Sequence, residues 1–141
     1  MYTIKRKWTN ARKQTYNGLT YDSGFEASYA MYLDKELKAK RISGYDRQVN
    51  LDLIVNGFVV CQYRIDYVVY HLDGTTEYVE CKGYPTDVWK LKWKLFEALF
   101  SQDPNNKLTI IQQQGKYKPP KLRKANPKNY DKKQTTRGRT S

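Results

Sequence analysis

The chain has 141 residues, a length typical of one domain with a hydrophobic core of its own. Its 26 Lys and Arg outnumber its 14 Asp and Glu, which gives a formal net charge of +12 at pH 7. No apolar run approaches the roughly 18 residues of a membrane helix and no signal peptide opens the chain, so we expect a cytoplasmic protein without a membrane partner. Two cysteines and one histidine are too few for a zinc cluster. We predict that Cys61 and Cys81 are reduced, buried thiols and that His71 is structural.

The positive charge is concentrated at both ends of the chain. Residues 1–13 contain five basic residues and no acid, and residues 115–141 contain ten basic residues and one acid. The body between them contains eleven basic and thirteen acidic residues. This segregation favours a polyanion as the partner of the two ends. We therefore predict a basic, irregular N-terminal arm (1–17), a folded core (18–114) and a basic, flexible C-terminal tail (115–141).

The first predicted element of the core is a helix that runs to about Lys40. Ser23 is a good N-cap and Glu26 falls at the third helical position, a pattern typical of a capping box. Glu26 also heads the stripe of side chains that faces inward, so its carboxylate either only caps the helix or also reaches a site on the sheet. The predicted stripe consists of Glu26, Ala30, Leu33 and Leu37.

Three strands follow the glycine at position 44, which we expect to end the helical unit. Residues 48–55 alternate as a strand, and Asn56-Gly57 indicates a tight hairpin. The second strand, residues 58–70, is long enough to indicate a bend or bulge. The third strand covers residues 75–80 and is rich in β-branched and aromatic residues.

A second helix and a last strand complete the predicted core. Thr86 is the expected N-cap of a helix that runs to about Phe100, and residues 108–112 form the last strand. A helical crossover favours parallel placement of the last strand in the sheet. The element order therefore predicts an α/β fold with a mixed central β-sheet flanked by helices. The buried stripe of the second helix is predicted to be Val88, Leu91, Leu95 and Leu99, with Lys90 and Lys94 on a neighbouring face.

The loop between the second and third strands decides which side chains meet. A two-residue turn would place Asp66 opposite Cys81 and leave the acidic side chains on opposite faces. A three-residue loop of residues 72–74, with Gly74 in the left-handed conformation, places Asp66 opposite Glu80. We predict the three-residue loop.

Asp66, Glu80 and Lys82 are the candidate site residues in this register. Side chains of a strand alternate, so Glu80 and Lys82 point to one face and Cys81 to the other. Two converging carboxylates repel each other unless a cation lies between them, and oxygen ligands suit Mg²⁺ or Mn²⁺. A lysine beside such a cation orients a water or stabilises developing negative charge, as phosphodiester hydrolysis requires.

Three stretches of the chain together resemble the PD-(D/E)XK nuclease superfamily, and the resemblance spans residues 17–112. Within the superfamily the chain looks most like a small phage and prophage family. Its architecture is also similar to phage endonuclease I, a junction-resolving enzyme, and to the nuclease subunit of Tn7-type transposition. The proline of the superfamily name is absent, since Ile65 precedes Asp66. The three stretches are residues 23–27, 63–67 and 79–83, and the likeness to the phage family also includes residues 86–92.

The resemblance implies a restriction-endonuclease-like core (α-β-β-β-α-β) and a Mg²⁺-dependent endodeoxyribonuclease encoded by a phage or prophage, acting in the bacterial cytoplasm. It implies Glu26, Asp66 and Glu80 as the acidic members of the site and Lys82 as the catalytic lysine. In the expected mechanism Asp66 and Glu80 hold Mg²⁺, for which Mn²⁺ substitutes. The Cys81 carbonyl is a third ligand, Glu26 completes the shell directly or through water, and Gln48 contacts a water or phosphate.

DNA is the expected partner, and no small-molecule cofactor other than the metal is expected. Cleavage of branched DNA at two symmetric positions needs two active sites and would therefore require a homodimer. Nicking of duplex DNA and non-catalytic DNA binding on a nuclease scaffold are the alternatives. A ribosomal or RNA-packaging protein would leave the acids and lysine as a coincidence. The predicted DNA-contacting residues are Lys5, Arg6, Lys7, Arg12, Lys13, Lys90, Lys94, Lys116, Lys118, Lys121, Arg123 and Lys124.

Overall fold

The computed structural model describes residues 13–21, 24–112 and 120–126. Most of the predicted N-terminal arm and C-terminal tail, and the predicted cap Ser23, lie outside these ranges. Residues 120–126 form neither helix nor strand. The elements are β1 (Gln14–Tyr16), β2 (Leu19–Tyr21), α1 (Gly24–Lys38), β3 (Ile42–Val55), β4 (Phe58–His71), β5 (Thr76–Lys82), α2 (Asp87–Phe100) and β6 (Asn106–Gln112).

Four strands form one mixed sheet in the order β3-β4-β5-β6. The pairs β3–β4 and β4–β5 are antiparallel, whereas β5 and β6 run parallel because α2 carries the chain across the sheet between them. One helix covers each face, so the prediction of a mixed α/β fold with a sheet flanked by helices is confirmed. The α1 cluster contains Phe25, Ala27, Ala30, Leu33, Ile42, Tyr67, Val69, Val79 and Cys81. The α2 cluster contains Leu53, Tyr63, Ile65, Val68, Trp89, Trp93 and Phe96. Cys81 is buried as predicted, but Cys61 is only partly buried against the α2 cluster, so the prediction is wrong for Cys61.

Helix α2 begins where predicted but buries a different stripe. The Thr86 side chain caps it by accepting a hydrogen bond of 3.2 Å from the Trp89 backbone N–H. Val88 and Leu91 are 66% and 69% exposed, so the predicted stripe is wrong at these two positions. Two indoles and a phenyl ring face the sheet because they remove more apolar surface from water than valine and leucine would. The buried side chains are Trp89, Trp93 and Phe96.

The end of α1 and the start of β3 also differ from the prediction. Leu33 is buried, but Leu37 at the end of the predicted stripe is 40% exposed. Strand β3 begins at Ile42, and Gly44 lies inside it rather than ending the helical unit. The pairing with β4 shifts between Ile42 and Gly44, which marks a bulge, a common position for glycine in a strand.

A small hairpin, β1–β2, precedes α1. Strand β1 lies in the predicted irregular arm, so that prediction is wrong for Gln14–Tyr16. Two tyrosine hydroxyls donate to the Asp34 carboxylate of α1, Tyr16 at 2.7 Å and Tyr45 at 2.5 Å. Asp34 therefore ties β1 and β3 to the same helix, and the ordered core starts before residue 18.

The loop between β4 and β5 has the predicted three-residue form. Tyr67 pairs with Val79 and Tyr70 with Thr76, which is the register expected for that loop. Gly74 has a φ of 87°, in the left-handed region. The Gly74 backbone N–H donates to the His71 carbonyl at 3.1 Å, and the loop is thereby closed.

We expect Gly74→Ala to lower the free energy of unfolding by about 1 kcal/mol, because a side chain disfavours the left-handed conformation. Gly44→Ala is the matched control. A Cβ at either position meets no atom within 4 Å, but only Gly74 has a positive φ. Gly44→Ala should be neutral or slightly stabilising. Urea denaturation of both variants tests the difference, and equal effects would contradict it.

Candidate active site

Strands β3 and β4 change face at Gln48 and Asp66. Tyr67 belongs to the α1 cluster, whereas Tyr63 and Ile65 belong to the α2 cluster. Strict alternation would place all three on one face. The change is accommodated by Gln48, which lies opposite Asp66 in the β3–β4 register and has a φ of 50°. Asp66 therefore sits at the point where the sheet is irregular.

The ladder between β4 and β5 ends next to Asp66. Tyr67 and Val79 form its last pair, so Asp66 and Glu80 are next in line. At this point the Asp66 side chain, rather than the β4 backbone, is the hydrogen-bond partner of β5, because Asp66 Oδ2 accepts from the Cys81 backbone N–H at 2.8 Å. The two strands thus separate at the acidic residues. The Asp66 carboxylate lies against the backbone that carries Glu80 and Lys82.

Glu80 is held by a buried chain of hydrogen bonds. The residue is 5% exposed, and its Oε2 accepts from the Tyr63 hydroxyl at 2.9 Å. The Tyr63 oxygen in turn accepts from Trp89 Nε1 at 3.1 Å. Helix α2 therefore orients a carboxylate of β5 through a tyrosine of β4.

Lys82 lies on the same face as Glu80, as alternation predicts. Its Nζ is 3.8 Å from Glu80 Oε1 and 4.8 Å from the centre of the Trp89 ring. The charge is thus stabilised by both a carboxylate and an aromatic face. Cys81, between these two residues, points to the opposite face and belongs to the α1 cluster.

Glu26 stands at the start of α1, and the Tyr67 hydroxyl holds this turn against β4 by donating to the Glu26 carbonyl at 2.7 Å. The Glu26 carboxylate acts electrostatically on β5.

Burial raises the pKa of Glu80 to about 7, against the effects of Tyr63 and Lys82, and Glu26 raises it further. Burial also raises the pKa of the Cys81 thiol, with additional effects from Asp66, Glu26 and Glu80. The charge of Glu26 therefore acts on both Glu80 and Cys81, and the charge of Asp66 acts on Cys81. We refer to Glu26, Asp66, Glu80 and Lys82 as the acidic site.

The donor set of the acidic site fits a hard divalent cation. Within the described ranges, no group of three or more His, Cys, Asp and Glu side chains is arranged to hold a metal ion. Mg²⁺ does not need such a cage, because it keeps several waters and usually takes one or two protein carboxylates together with substrate phosphates. Asp66 and Glu80 provide two carboxylates on adjacent strands, and the negative charge that Glu26 adds favours a cation.

The other predicted contact residues are distributed around the site. Gln48 accepts a hydrogen bond from Arg64 Nη2, so its amide is engaged beside Asp66. Lys94 is exposed on α2, and Lys90 Nζ lies 3.8 Å from Asp87 Oδ1. Four predicted contact residues in the described ends are exposed: Lys13, Lys121, Arg123 and Lys124. Six lie outside the described residues: Lys5, Arg6, Lys7, Arg12, Lys116 and Lys118.

The second buried carboxylate of β5, Glu77, belongs to a different cluster. Its Oε1 lies 2.9 Å from His71 Nε2, and its Oε2 accepts from Thr109 Oγ1 at 2.5 Å. Lys107 Nζ is 3.6 Å from the same oxygen. His71 thus contacts a carboxylate outside the acidic site, as expected of a structural histidine.

Tyr63 and Trp89 were not predicted from the sequence as site residues. Unbroken alternation places Tyr63 on the face away from Glu80, and the change of face at Asp66 is what brings it to the carboxylate. Trp89 lay outside the predicted buried stripe of α2. The available signal for Tyr63 was an aromatic residue three positions before Asp66 on the same predicted strand.

We expect Tyr63→Phe to lower the free energy of unfolding by about 1–2 kcal/mol, because Trp89 Nε1 and Glu80 each lose a buried hydrogen-bond partner. Tyr78→Phe is the control, since Tyr78 is half-buried in the α2 cluster and its hydroxyl has no such role. Chemical denaturation of the two variants measures the difference. A loss for Tyr78→Phe as large as that for Tyr63→Phe would contradict a specific role of the Tyr63 hydroxyl.

Comparison with known protein families identifies the family to which this chain belongs. The model of the family described as "Protein of unknown function (DUF1064)" matches residues 5–119, and the chain therefore belongs to this family. No curated protein and no solved structure matches the chain significantly. None of the helices in the described parts of the chain is long and apolar enough to cross a membrane.

Proposed function

We propose that this protein is a metal-dependent DNA endonuclease with a restriction-endonuclease-like core, hydrolysing phosphodiester bonds in branched DNA. The observation that carries the proposal is the arrangement at the end of the β4–β5 ladder. Asp66 contacts the backbone beside Glu80, and Lys82 follows on the same face as Glu80. Two acids and a lysine at one strand break are what cation-assisted attack on a phosphate requires.

The buried state of the site supports a chemical role over a purely structural one. A carboxylate that is 5% exposed with a pKa raised to about 7 is held at an energetic disadvantage in its charged form. Such perturbed groups concentrate at functional sites. Glu77 on the same strand shows the contrasting structural case, because its hydrogen bonds lower its pKa although burial alone would raise it.

Asp66 and Glu80 are the residues that would hold the cation, with the Cys81 carbonyl as a third ligand and Glu26 at the edge of the site. A divalent cation there supplies positive charge that polarises the phosphate and activates water for attack. Mg²⁺ fits the oxygen donors, and Mn²⁺ would substitute for it.

The chain's own side chains would perform the remaining tasks. Lys82 orients the attacking water or stabilises the negative charge that develops on the phosphate. Tyr63 and Trp89 keep the Glu80 carboxylate in position. Exposed lysines on α2 and in the basic ends bind the DNA backbone, which gives affinity without reading bases.

Two other functions remain compatible with the same site. A nicking endonuclease would use the same chemistry on ordinary duplex DNA. A non-catalytic DNA-binding protein on a nuclease scaffold would use the basic ends and not the acidic site. Loss of a site residue would favour this alternative, but each position of the acidic site carries the expected residue type.

Incubation with a four-way junction and with the matched linear duplex, each in Mg²⁺ or EDTA, tests the proposal. We expect Mg²⁺-dependent cuts at the branch point of the junction and none in the linear duplex. Equal cutting of the linear duplex would favour the nicking enzyme. Tight binding without any cleavage, in Mg²⁺ and Mn²⁺ alike, would indicate a non-catalytic DNA-binding protein.

Two variants decide whether the cuts come from the acidic site. Glu80→Gln removes the charge that would hold the cation, and we expect it to abolish cleavage while DNA binding persists. Glu36→Gln makes the same chemical change on α1, where Glu36 forms a surface ion pair with Arg41, and should leave cleavage unchanged. Cleavage that survives Glu80→Gln would indicate a contaminating nuclease or a different site.

A further inference from the structure

The β3–β4 hairpin extends well past the rest of the sheet. The β4–β5 ladder covers only Tyr67–Tyr70 of β4, whereas the β3–β4 ladder continues to the pair Val55–Phe58. Leu53, which is fully buried in the α2 cluster, marks the last part of β3 that the core covers. Beyond it lies the hairpin tip, residues 54–60, which also contains a shift of register between Leu53 and Ile54.

The hairpin tip exposes an unusual amount of apolar surface. The exposed fractions are 49% for Ile54, 75% for Phe58, 55% for Val59 and 57% for Val60. The register pairs Ile54 with Val59 and Val55 with Phe58, so Ile54 and Val59 lie on one face of the tip and Phe58 on the other. Single exposed apolar residues are common, but a tip that is apolar on both faces marks an interaction surface. The tip adds an aromatic residue, a type enriched at the centre of protein interfaces.

The charge pattern identifies the kind of partner. Residues 53–63 form the longest run of the chain without Asp, Glu, Lys or Arg. A nucleic acid is attracted by positive charge, which this run lacks. Loss of charged residues is instead the compositional mark of a protein–protein interface core. The basic tail of the same chain does not complement this uncharged, apolar surface either.

A second copy of the chain is the partner that fits best. Copies with a net charge of +12 repel each other, and the repulsion is smallest where the facing surfaces carry no charge. Among the described residues β3 is an edge strand of its sheet, so its outer backbone groups are open beside the tip. We propose that two copies associate through their hairpin tips about a two-fold axis, with Phe58 at the centre of the contact.

This inference goes beyond cleavage and is tested without DNA or metal. Sedimentation velocity of the full chain in about 0.3 M NaCl, which limits charge repulsion to less than roughly 10 Å, should show a monomer–dimer equilibrium. Phe58→Lys places like charges against each other in the contact, and we expect it to raise the dimer dissociation constant at least tenfold. Val60→Lys provides a second variant in the same surface and should act in the same direction.

Leu72→Lys is the matched control. Leu72 is 65% exposed in the loop at the other end of β4, so the variant adds the same charge at a comparably exposed position. It should dimerise like the wild type. Circular dichroism verifies that each variant is folded.

Two results would overturn the proposal. One is a wild type that stays monomeric up to about 100 μM, and the other is a Phe58→Lys variant that dimerises as tightly as the wild type. A monomeric wild type whose junction binding is weakened by Phe58→Lys would assign the tip to DNA instead. Because association is measured without DNA, a dimer that cuts nothing would contradict the proposed function and leave the interface intact.

Discussion

Replacement of Lys82 by methionine is expected to lower the rate of DNA cleavage by about 10²- to 10³-fold at saturating DNA, without disturbing the fold. This is the range observed when one group that stabilises transition-state charge is removed from an enzyme site. Methionine retains an unbranched apolar stem that packs against Trp89, so the loss would come from the charge that now lies 3.8 Å from Glu80 Oε1.

Single-turnover cleavage in Mg²⁺ measures this effect apart from DNA affinity. Lys90→Met is the matched control, because it removes the same charge from a partly exposed position on α2. We expect it to weaken DNA binding and to change the saturated rate by less than about threefold. A Lys82→Met rate within threefold of the wild type would show that this lysine does not take part in the chemical step.

The second large effect is on stability, and its direction is opposite to that of most site mutations. Glu80→Gln is expected to raise the free energy of unfolding by about 1–3 kcal/mol at pH 8.5 in EDTA. Burial raises the pKa of Glu80 from 4.5 to about 7, so above pH 7 the folded protein carries a charge that its surroundings disfavour. Glutamine has no charge and can still accept the hydrogen bond from Tyr63.

The pH dependence follows from the direction of the shift. The folded state binds a proton at Glu80 more tightly than the unfolded state, so the stabilising contribution of protonated Glu80 is present below about pH 4.5 and is lost as pH rises through 7. The advantage of Glu80→Gln over the wild type should therefore grow between these pH values. Mg²⁺ should stabilise the wild type and not the variant, because a ligand stabilises only a state that binds it.

Glu77→Gln provides a control with the opposite sign. Burial alone would raise the pKa of Glu77, but hydrogen bonds from Thr109 and His71 and the charge of Lys107 lower it. Its charged form is therefore stabilised in the fold, and Glu77→Gln should destabilise the protein at pH 8.5. Urea denaturation of both variants at pH 5 and pH 8.5 tests the pair. A Glu80→Gln variant that is less stable than the wild type at pH 8.5 would contradict the account of Glu80.

The strand register could be predicted from the sequence because the short loop between the strands leaves two alternatives, and the three-residue form is the one observed. Gly74 tolerates the left-handed conformation that a three-residue loop demands, and this loop aligns Asp66 with Glu80. Alternation along β5 then placed Lys82 with Glu80 and Cys81 on the other face. Local backbone chemistry was sufficient for this part of the site.

The buried face of α2 could not be predicted from the sequence in this way. Two neighbouring stripes of the helix are apolar, one of valine and leucine and one that contains Trp89, Trp93 and Phe96. Periodicity does not distinguish stripes that differ by one position. The choice depends on how much surface each buries against the sheet, which is a property of the packed structure.

The point at Asp66 where the side chains of β4 change face could not be predicted from the sequence either. A non-glycine residue, Gln48, adopts a positive φ there, and sequence patterns do not indicate this conformation for glutamine. The β1–β2 hairpin was missed because the basic residues before it indicate an irregular arm, although Asn17-Gly18 between two β-prone segments is itself a hairpin signal. At Gln48, contacts from elsewhere in the fold determine a local conformation that the residue itself does not favour.

The direction of the Cys81 side chain bears on the choice of metal. Its thiol is buried in the α1 cluster with a raised pKa, while its backbone N–H faces Asp66. Thiolates attract soft, thiophilic ions such as zinc and cadmium, whereas oxygen donors suit magnesium and manganese. The strand therefore carries a sulfur within one residue of two site residues and turns it away from them. In the proposed enzyme, the Cys81 thiol would lie on the face away from Glu80 and Lys82, and the oxygen donors of the site would favour hard metals.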